Sequence, residues 1–185
     1  IDISKIDLSK FSLSFKKVKL NDFFATIKTE IQPLVDKRGL DFIEIYKYHD
    51  QEGYFDELRI KQVVINLFSN AIKFTERGHI KIEVLQTNTI KLNTKGAASG
   101  EFLQVAVEDT GFGIKKDEVE KIWDLFYQTD DKLTRKVGGT GLGLTISRQI
   151  VSLHKGRFFL NTEFRKGSTF TFIIPLNQEE INSKH

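Results

Sequence analysis

The 185-residue chain contains no cysteine. Disulfides and thiolate metal sites are therefore excluded, and a reducing compartment fits. It contains no methionine either, initiator included, which predicts a piece of a longer protein. No apolar run approaches the ~20 residues that span a bilayer, and no secretory signal pattern is visible. The net charge is only +3, from 28 basic and 25 acidic residues. That small excess is scattered, without arginine-rich runs or aromatic–basic repeats, and does not point to nucleic acid. What is there is an ordinary globular composition, 39% hydrophobic and 29% charged. The chain is long enough for one domain with its own core.

Apolar periodicity divides the chain into elements. Residues 1–10 read as the end of an upstream element, with Ile3, Ile6 and Leu8 near helical spacing. Phe11, Leu13, Phe15, Val18 and Leu20 predict a strand with a slip. Asn21 is placed to cap a helix carrying Phe23, Phe24, Ile27, Ile31, Leu34 and Val35, with Pro33 as a kink point and Gly39 as its stop. A strand is expected over 40–48. A second helix is expected from the cap Asp56 through Leu58, Val63, Val64, Leu67, Phe68, Ala71 and Ile72. Strands at 80–85 and 102–107 flank a polar stretch, 86–100, that reads as a long hairpin loop and an insertion. A short helix over 117–126, a mobile loop over 127–140 and a third long helix from Leu142 to His154 follow. Strands at 157–162 and 168–174 meet at a Lys166–Gly167 turn, and 177–185 reads as a disordered tail. Half-polar strands interleaved with three helices predict a two-layer α/β sandwich. Its mixed, mostly antiparallel sheet is expected to be covered by helices on one face only.

Three short blocks carry chemistry. Gly138-Gly139-Thr140-Gly141-Leu142-Gly143 sets four glycines ahead of an apolar-periodic run. Glycine costs entropy wherever it is fixed. A glycine-rich turn that opens a helix presents N–H groups and the positive dipole end to an anion such as a phosphate chain; a flexible surface loop would have the same composition. In the block Asn66 to Thr75, Asn66, Asn70 and Lys73 share one helix face, opposite Leu67, Phe68, Ala71 and Ile72. An asparagine carbonyl with phosphate oxygens and waters suits Mg²⁺, and a lysine one turn on would neutralise phosphates. A solvated helix face is the plainer reading. Asp109-Thr110-Gly111-Phe112-Gly113-Ile114 directly follows an apolar strand. A carboxylate there would discriminate for ligands that carry a donor, and the glycines would admit a flat ring. A β-turn is the plainer reading.

In this order and spacing, the motifs Asn-x-x-x-Asn-Ala-x-Lys-Phe-Thr, Asp-x-Gly-x-Gly-Ile and Gly-Gly-Thr-Gly-Leu-Gly-Leu resemble the N, G1 and G2 boxes of the ATP-binding domain of histidine protein kinases. Ile122 to Gln128 resembles the F box, Gly167-Ser168-Thr169-Phe170 the small final motif, and Asp2 to Asp7 the end of the dimerisation helix. The resemblance covers nearly all of residues 1–176. It implies an upstream helix end at 1–10, a catalytic domain at 11–176 with the Bergerat fold, and ATP and Mg²⁺ as cofactors. By matched position, Asn70 would coordinate Mg²⁺ with Asn66 beside it, and Asn66 and Lys73 would be the catalytic pair at the phosphates. Asp109 would accept from the adenine amino group, with Gly111, Gly113 and Ile114 shaping that wall. Phe126 would pack at the base of a lid, 127–140. Gly139, Thr140, Gly141, Leu142 and Gly143 would close over the phosphates, with Arg135 and Lys136 facing the γ-phosphate and Thr169 completing the pocket.

The related gyrase, chaperone and mismatch-repair ATPases place a glutamate where Asn66 stands. An amide has no useful basicity, so the resemblance implies ATP held intact for another nucleophile. That nucleophile would be a histidine on a separate dimerisation domain, in a full-length homodimer that signals to a response-regulator receiver domain. His79, His154 and His185 are not followed by Glu or Asp, and His49, which precedes Asp50, follows the strand expected over 40–48 and does not lie on a helix, so the acceptor is expected outside this chain. His79 and His154 read as ordinary surface residues. Two departures stand out: Trp123 where phenylalanine is frequent, and Lys155 where glycine is. Two other functions fit less well, a gyrase-type ATPase and a module that only senses nucleotide. The resemblance implies a cytoplasmic domain with no nucleic-acid or membrane contact of its own, even where the whole sensor is membrane-anchored.

Overall fold

A computed structural model describes residues 12–49, 52–92, 96–124, 126–127 and 141–177. The expected upstream helix end, residues 128–140 of the expected lid and the tail beyond Asn177 lie outside the described residues. In chain order the elements are β1 (Lys16–Lys19), α1 (Leu20–Arg38), β2 (Asp41–Lys47), β3 (Glu52–Phe55), α2 (Glu57–Phe74), β4 (His79–Leu92), β5 (Gly96–Asp109), a 3-10 helix (Lys121–Trp123), α3 (Gly143–Leu153), β6 (Arg157–Glu163) and β7 (Gly167–Pro175). Five strands form one sheet in the order β2-β4-β5-β7-β6, and β1 pairs with β3 in a second, two-stranded sheet. In the five-stranded sheet β2 and β4 run parallel, joined by a crossover through α2, and the other neighbours are antiparallel.

The sheet's inward face follows from strict alternation. Ile80, Ile82 and Val84 on β4, Leu103, Val105 and Val107 on β5, and Phe170, Phe172 and Ile174 on β7 are all buried. They form one core with Phe23, Phe24, Ile27 and Ile31 of α1, Val63, Val64, Leu67 and Phe68 of α2, and Ile150 and Val151 of α3. Each such side chain contributes about 1.5–3 kcal/mol by leaving water. Polar residues occupy several of the alternate positions: Lys81 of β4 pairs with Glu108 of β5, at 2.6 Å between charged atoms. This is the expected two-layer sandwich.

Local chemistry explains where the expected boundaries hold. Asp56 caps α2, its Oδ1 accepting the Arg59 N–H at 3.0 Å, and Gly39 ends α1 in the left-handed conformation, φ 66°. Asn21 does not cap α1. The helix begins two residues earlier than that cap implies, at Leu20 after Lys19, and Asn21 Oδ1 instead accepts the Tyr48 hydroxyl at 2.6 Å. The strand expected over 11–20 shrinks to β1. Its partner β3 leaves no periodic signal, because it is four residues long and includes Gly53.

The polar stretch 86–100 is not a long loop. The β4–β5 ladder continues through Thr89–Ser99 to Leu92–Gly96 after an irregularity between Thr87 and Thr89. Main-chain hydrogen bonds sustain a ladder whatever the side-chain polarity. The helix expected over 117–126 is a run of turns and the short 3-10 helix. Trp123 packs edge-on against Phe158 and Phe170, so tertiary contact rather than helix length fixes this segment.

His154 is a core residue, not a surface one, with no exposed area. Its Nε2 accepts the Asp56 N–H at 3.1 Å and its Nδ1 lies 2.8 Å from the Ile150 carbonyl, an arrangement that requires the proton on Nδ1. The other Asp56 oxygen accepts the Ser14 N–H at 2.7 Å. Asp56 thus ties the leading segment to the start of α2 and, through His154, to the end of α3. The next residue, Lys155, is exposed and sits at φ 58°. Left-handed backbone is strained for a residue with a Cβ. Lys155→Gly should therefore raise unfolding stability by about 0.5–1 kcal/mol in urea titration, and a loss of stability would refute the strain argument.

Candidate nucleotide site

The second half of α2, the end of β5 and the opening of α3 converge. Asn66, Asn70 and Lys73 are all half-buried along α2. Asn66 Nδ2 donates to Ser147 Oγ on α3 at 3.0 Å, and Ser147 is itself buried. Gly143 faces the same amide; a Cβ there would lie 2.8 Å from Asn66 Cγ. The two helices approach this closely only because residue 143 lacks a side chain, and Asn66 is the strut between them. One turn on, the Asn70 amide finds no hydrogen-bond partner among the described residues. Lys73 lies with Nζ 4.7 Å from the Phe74 ring centroid, and burial draws its pKa below the usual lysine value.

Asp109 closes β5 and is 7% exposed. Burial pushes its carboxyl up to about 6, although backbone N–H groups of Gly111 and Ser168 hold it down. Its Oδ1 accepts the Gly111 N–H at 2.8 Å. A Cβ on Gly111 would lie 2.8 Å from the Phe74 carbonyl carbon and 2.9 Å from Asp109 Oδ1, so the turn after β5 sits on the end of α2. The Phe112 N–H to Phe74 carbonyl bond, 3.2 Å, fixes that contact. Gly113 takes φ 61° against the Glu163 main chain, and Ile114 donates its N–H to Thr162 Oγ1 at 3.0 Å while packing on the core.

Thr169 is not brought to this pocket. In the ladder it pairs with Glu108, whereas Ser168 pairs with Asp109. Successive strand residues face opposite sides, so the buried Ser168 shares the side of Asp109 and Thr169 the other. Ser168 Oγ lies 2.9 Å from Thr162 Oγ1. Sequence reasoning missed Ser168, although alternation from Phe170 and Phe172 places it inward.

At the third corner, Gly141 takes φ 68° with its Cβ position 2.7 Å from Phe126 Cα, and its carbonyl accepts the Phe126 N–H at 3.1 Å. Phe126 is itself left-handed, φ 64°, and half-exposed. Leu142 holds the cap position of α3 and gives no side-chain cap bond. A helix that starts without a side-chain cap, behind a glycine turn, suits an anion. Thr145 Oγ1 donates to the Trp123 carbonyl at 2.9 Å, and Arg148 lies 5.4 Å from the indole centroid, so the 3-10 helix is fastened to α3. Arg135, Gly139 and Thr140 lie outside the described residues. Among the described residues no three His, Asp or Glu side chains gather to hold a metal. A buried carboxyl acceptor, tightly packed glycine turns and the opening of α3 lie on neighbouring elements, and this set suits a nucleotide in its chemistry.

Residues 55–178 match the family described as histidine kinase-, DNA gyrase B-, and HSP90-like ATPases, and the chain belongs to that family. Among curated proteins, it is 34% identical to the autoinducer 2 sensor kinase/phosphatase LuxQ of Vibrio vulnificus, over 100% of this chain and 21% of the relative. It is 33% identical to the sensor histidine kinase WalK of Bacillus subtilis, over 97% of this chain and 28% of the relative. The chain thus spans only 21% to 28% of the length of these proteins. The nucleotide-free catalytic domain of histidine kinase ThkA superposes with a TM-score of 0.67 at 29% identity, covering 88% of this chain and 98% of that one. Full-length ShkA in complex with AMPPNP shares the fold, with a TM-score of 0.70 at 24% identity over 89% of this chain and 32% of that one. The architecture is the Bergerat fold, and the chain is a histidine-kinase ATP-binding domain.

Proposed function

We propose that this domain holds Mg·ATP with adenine against Asp109 and the phosphates between α2 and the opening of α3. It would deliver the γ-phosphoryl group to a histidine on a separate dimerisation domain of the same protein, upstream of a response-regulator receiver domain. The observation that supports this most is the buried Asp109, an acceptor backed by Gly111 at the foot of the asparagine helix. Asp109 would take the adenine amino proton, Asn70 would offer its carbonyl to Mg²⁺, and Lys73 would balance phosphate charge. Bound Mg²⁺ would supply further neutralisation of the phosphates. Asn66, held by Ser147, would keep the two walls in register. Catalysis would be positioning plus charge stabilisation. The gyrase-type reading is weaker, because an amide committed to Ser147 is no base for water.

Two consequences of Asp109 are measurable. Guanine would present a carbonyl oxygen to the carboxylate, setting acceptor against acceptor at a cost of about 1–3 kcal/mol. ATP should bind about tenfold or more tighter than GTP in calorimetry, and equal affinity would sink the assignment. The carboxylate is the acceptor form, so adenine-nucleotide affinity should be full above pH 6 and fall as the pH drops through that value. Asp109→Asn should lose that part of the pH profile and bind more weakly. Its stability effect should have the opposite sign. The folded carboxyl holds its proton more tightly than the unfolded one, so the ionised group costs stability above about pH 6, relieved on acidification. Asp109→Asn should therefore melt no lower than the parent at neutral pH.

A further inference from the structure

Thr162 of β6 stands directly opposite Ser168 of β7, and Ser168 directly opposite Asp109 of β5. Opposite partners in a ladder share one face of the sheet. The three side chains therefore form a row across three strands, and the row ends at the buried carboxyl.

Thr162 ties the surroundings of that row together. Its Oγ1 accepts the Ile114 N–H at 3.0 Å, donates to the Gly167 carbonyl at 3.1 Å and lies 2.9 Å from Ser168 Oγ. A hydroxyl has one proton to give and two lone pairs. With the proton on Gly167 and one lone pair taken by Ile114, the second lone pair receives the Ser168 proton, and the Thr162 hydroxyl is fully used. Each of the three partners bears on Asp109. Ile114 belongs to the segment that carries Gly111, whose N–H reaches the carboxylate at 2.8 Å. Gly167 is packed on the Asp109 main chain, its Cβ position 2.9 Å from the carbonyl carbon. Ser168 supplies the other backbone N–H that the carboxylate accepts. The two donors that orient the carboxylate thus sit on separate segments, and one hydroxyl joins them. A valine would fill the volume of Thr162 but leave the Ile114 N–H and the Gly167 carbonyl without that partner, which is costly in a half-buried position.

We propose that Thr162 is a positioning residue for base recognition: its hydroxyl holds the segment after β5 against the start of β7 and so fixes the direction in which the Asp109 carboxylate meets a nucleobase. This rests on the nucleotide reading above. Thr162 acts through Asp109. Adenine and guanine differ at the group that would face this carboxylate, so its direction governs selectivity as well as affinity.

The test compares the parent with Thr162→Val, Thr162→Ala and Thr162→Ser in the whole chain. The measurements are melting without ligand, and calorimetric affinity for Mg·ATP, Mg·GTP and Mg·tripolyphosphate, which lacks the base. Both hydroxyl-free variants should still melt cooperatively, below the parent, and bind ATP about tenfold more weakly. Their GTP and tripolyphosphate affinities should stay close to the parent values, so the preference for ATP over GTP collapses. Thr162→Ser should regain it. Parent-like ATP affinity and selectivity in both hydroxyl-free variants overturns the proposal, and so does a serine variant that stays unselective. An equal loss for all three ligands, or the loss of cooperative melting in both variants, makes Thr162 a general support and overturns it as well. A parent that binds no ATP, or binds ATP and GTP alike, overturns the nucleotide reading itself, whereas a selective parent with equally selective variants overturns the role of Thr162 alone.

Discussion

Incubated with radiolabelled Mg·ATP, this chain alone should acquire almost no phosphoryl label and release phosphate only slowly. Mixed with the dimerisation domain of its own protein, it should place label on a histidine of that added piece, stable in alkali and labile in acid. The expected contrast is large. A bound phosphoryl group without a positioned nucleophile forgoes a proximity contribution of ~7–11 kcal/mol. Nothing in the described chain replaces it. Asn66 is an amide held by Ser147, and His154 is sealed in the core between Asp56 and Ile150. His79 lies 3.4 Å from Glu108, on the face of the sheet away from Asp109. Label on this chain alone would mean that the acceptor is here after all. Rapid phosphate release by the chain alone would move it toward the gyrase-like ATPases.

Gly167→Ala should be the most damaging single methyl among the described glycines. The residue sits at φ 119°, and its Cβ would overlap the Asp109 carbonyl oxygen and lie 2.9 Å from both the Asp109 carbonyl carbon and Thr110 Cα. All three are main-chain atoms that cannot rotate away. Backbone strain and forced separation together should cost about 2–5 kcal/mol, or roughly 5–20 °C in melting temperature for a domain of this size. Adenine-nucleotide affinity should fall with it, because the displaced segment is the one that carries the Asp109 carboxylate. Gly39→Ala is the control: its φ is 66° but nothing lies within 4 Å of the new methyl, so only about 1 kcal/mol of backbone strain remains. Equal melting of the two variants would show that the β7–β5 contact is not the constraint.

The comparison of Asp56 with His154 shows what a sequence can reveal. A helix cap is a contact between residues three apart, so Asp56 was legible in its immediate neighbourhood. The burial of His154 depends on Asp56, 98 positions away, and on Phe15, and no local pattern records either. The α2 face was legible for the same reason as the cap, since Asn66, Asn70 and Lys73 follow from helical spacing alone. That Asn66 is a strut rather than a free amide depends on Ser147 and Gly143 of another helix. Composition misled at 86–100, where polar residues continue a ladder built from main-chain bonds. Motif matching misled at Thr169, where counting in twos along β7 selects Ser168.

Trp123 is the sole tryptophan of the chain. Its indole lies edge-on to Phe158 and Phe170 and beneath the guanidinium of Arg148, while its carbonyl is bonded to Thr145 in the first turn of α3. A nearby cation and a change in solvent access both alter indole emission, and here both depend on how that turn is seated. The protein therefore contains one tryptophan, fastened to the first turn of α3. Its emission spectrum and quenching by iodide give a label-free optical gauge of α3, readable in real time as a ligand arrives or leaves.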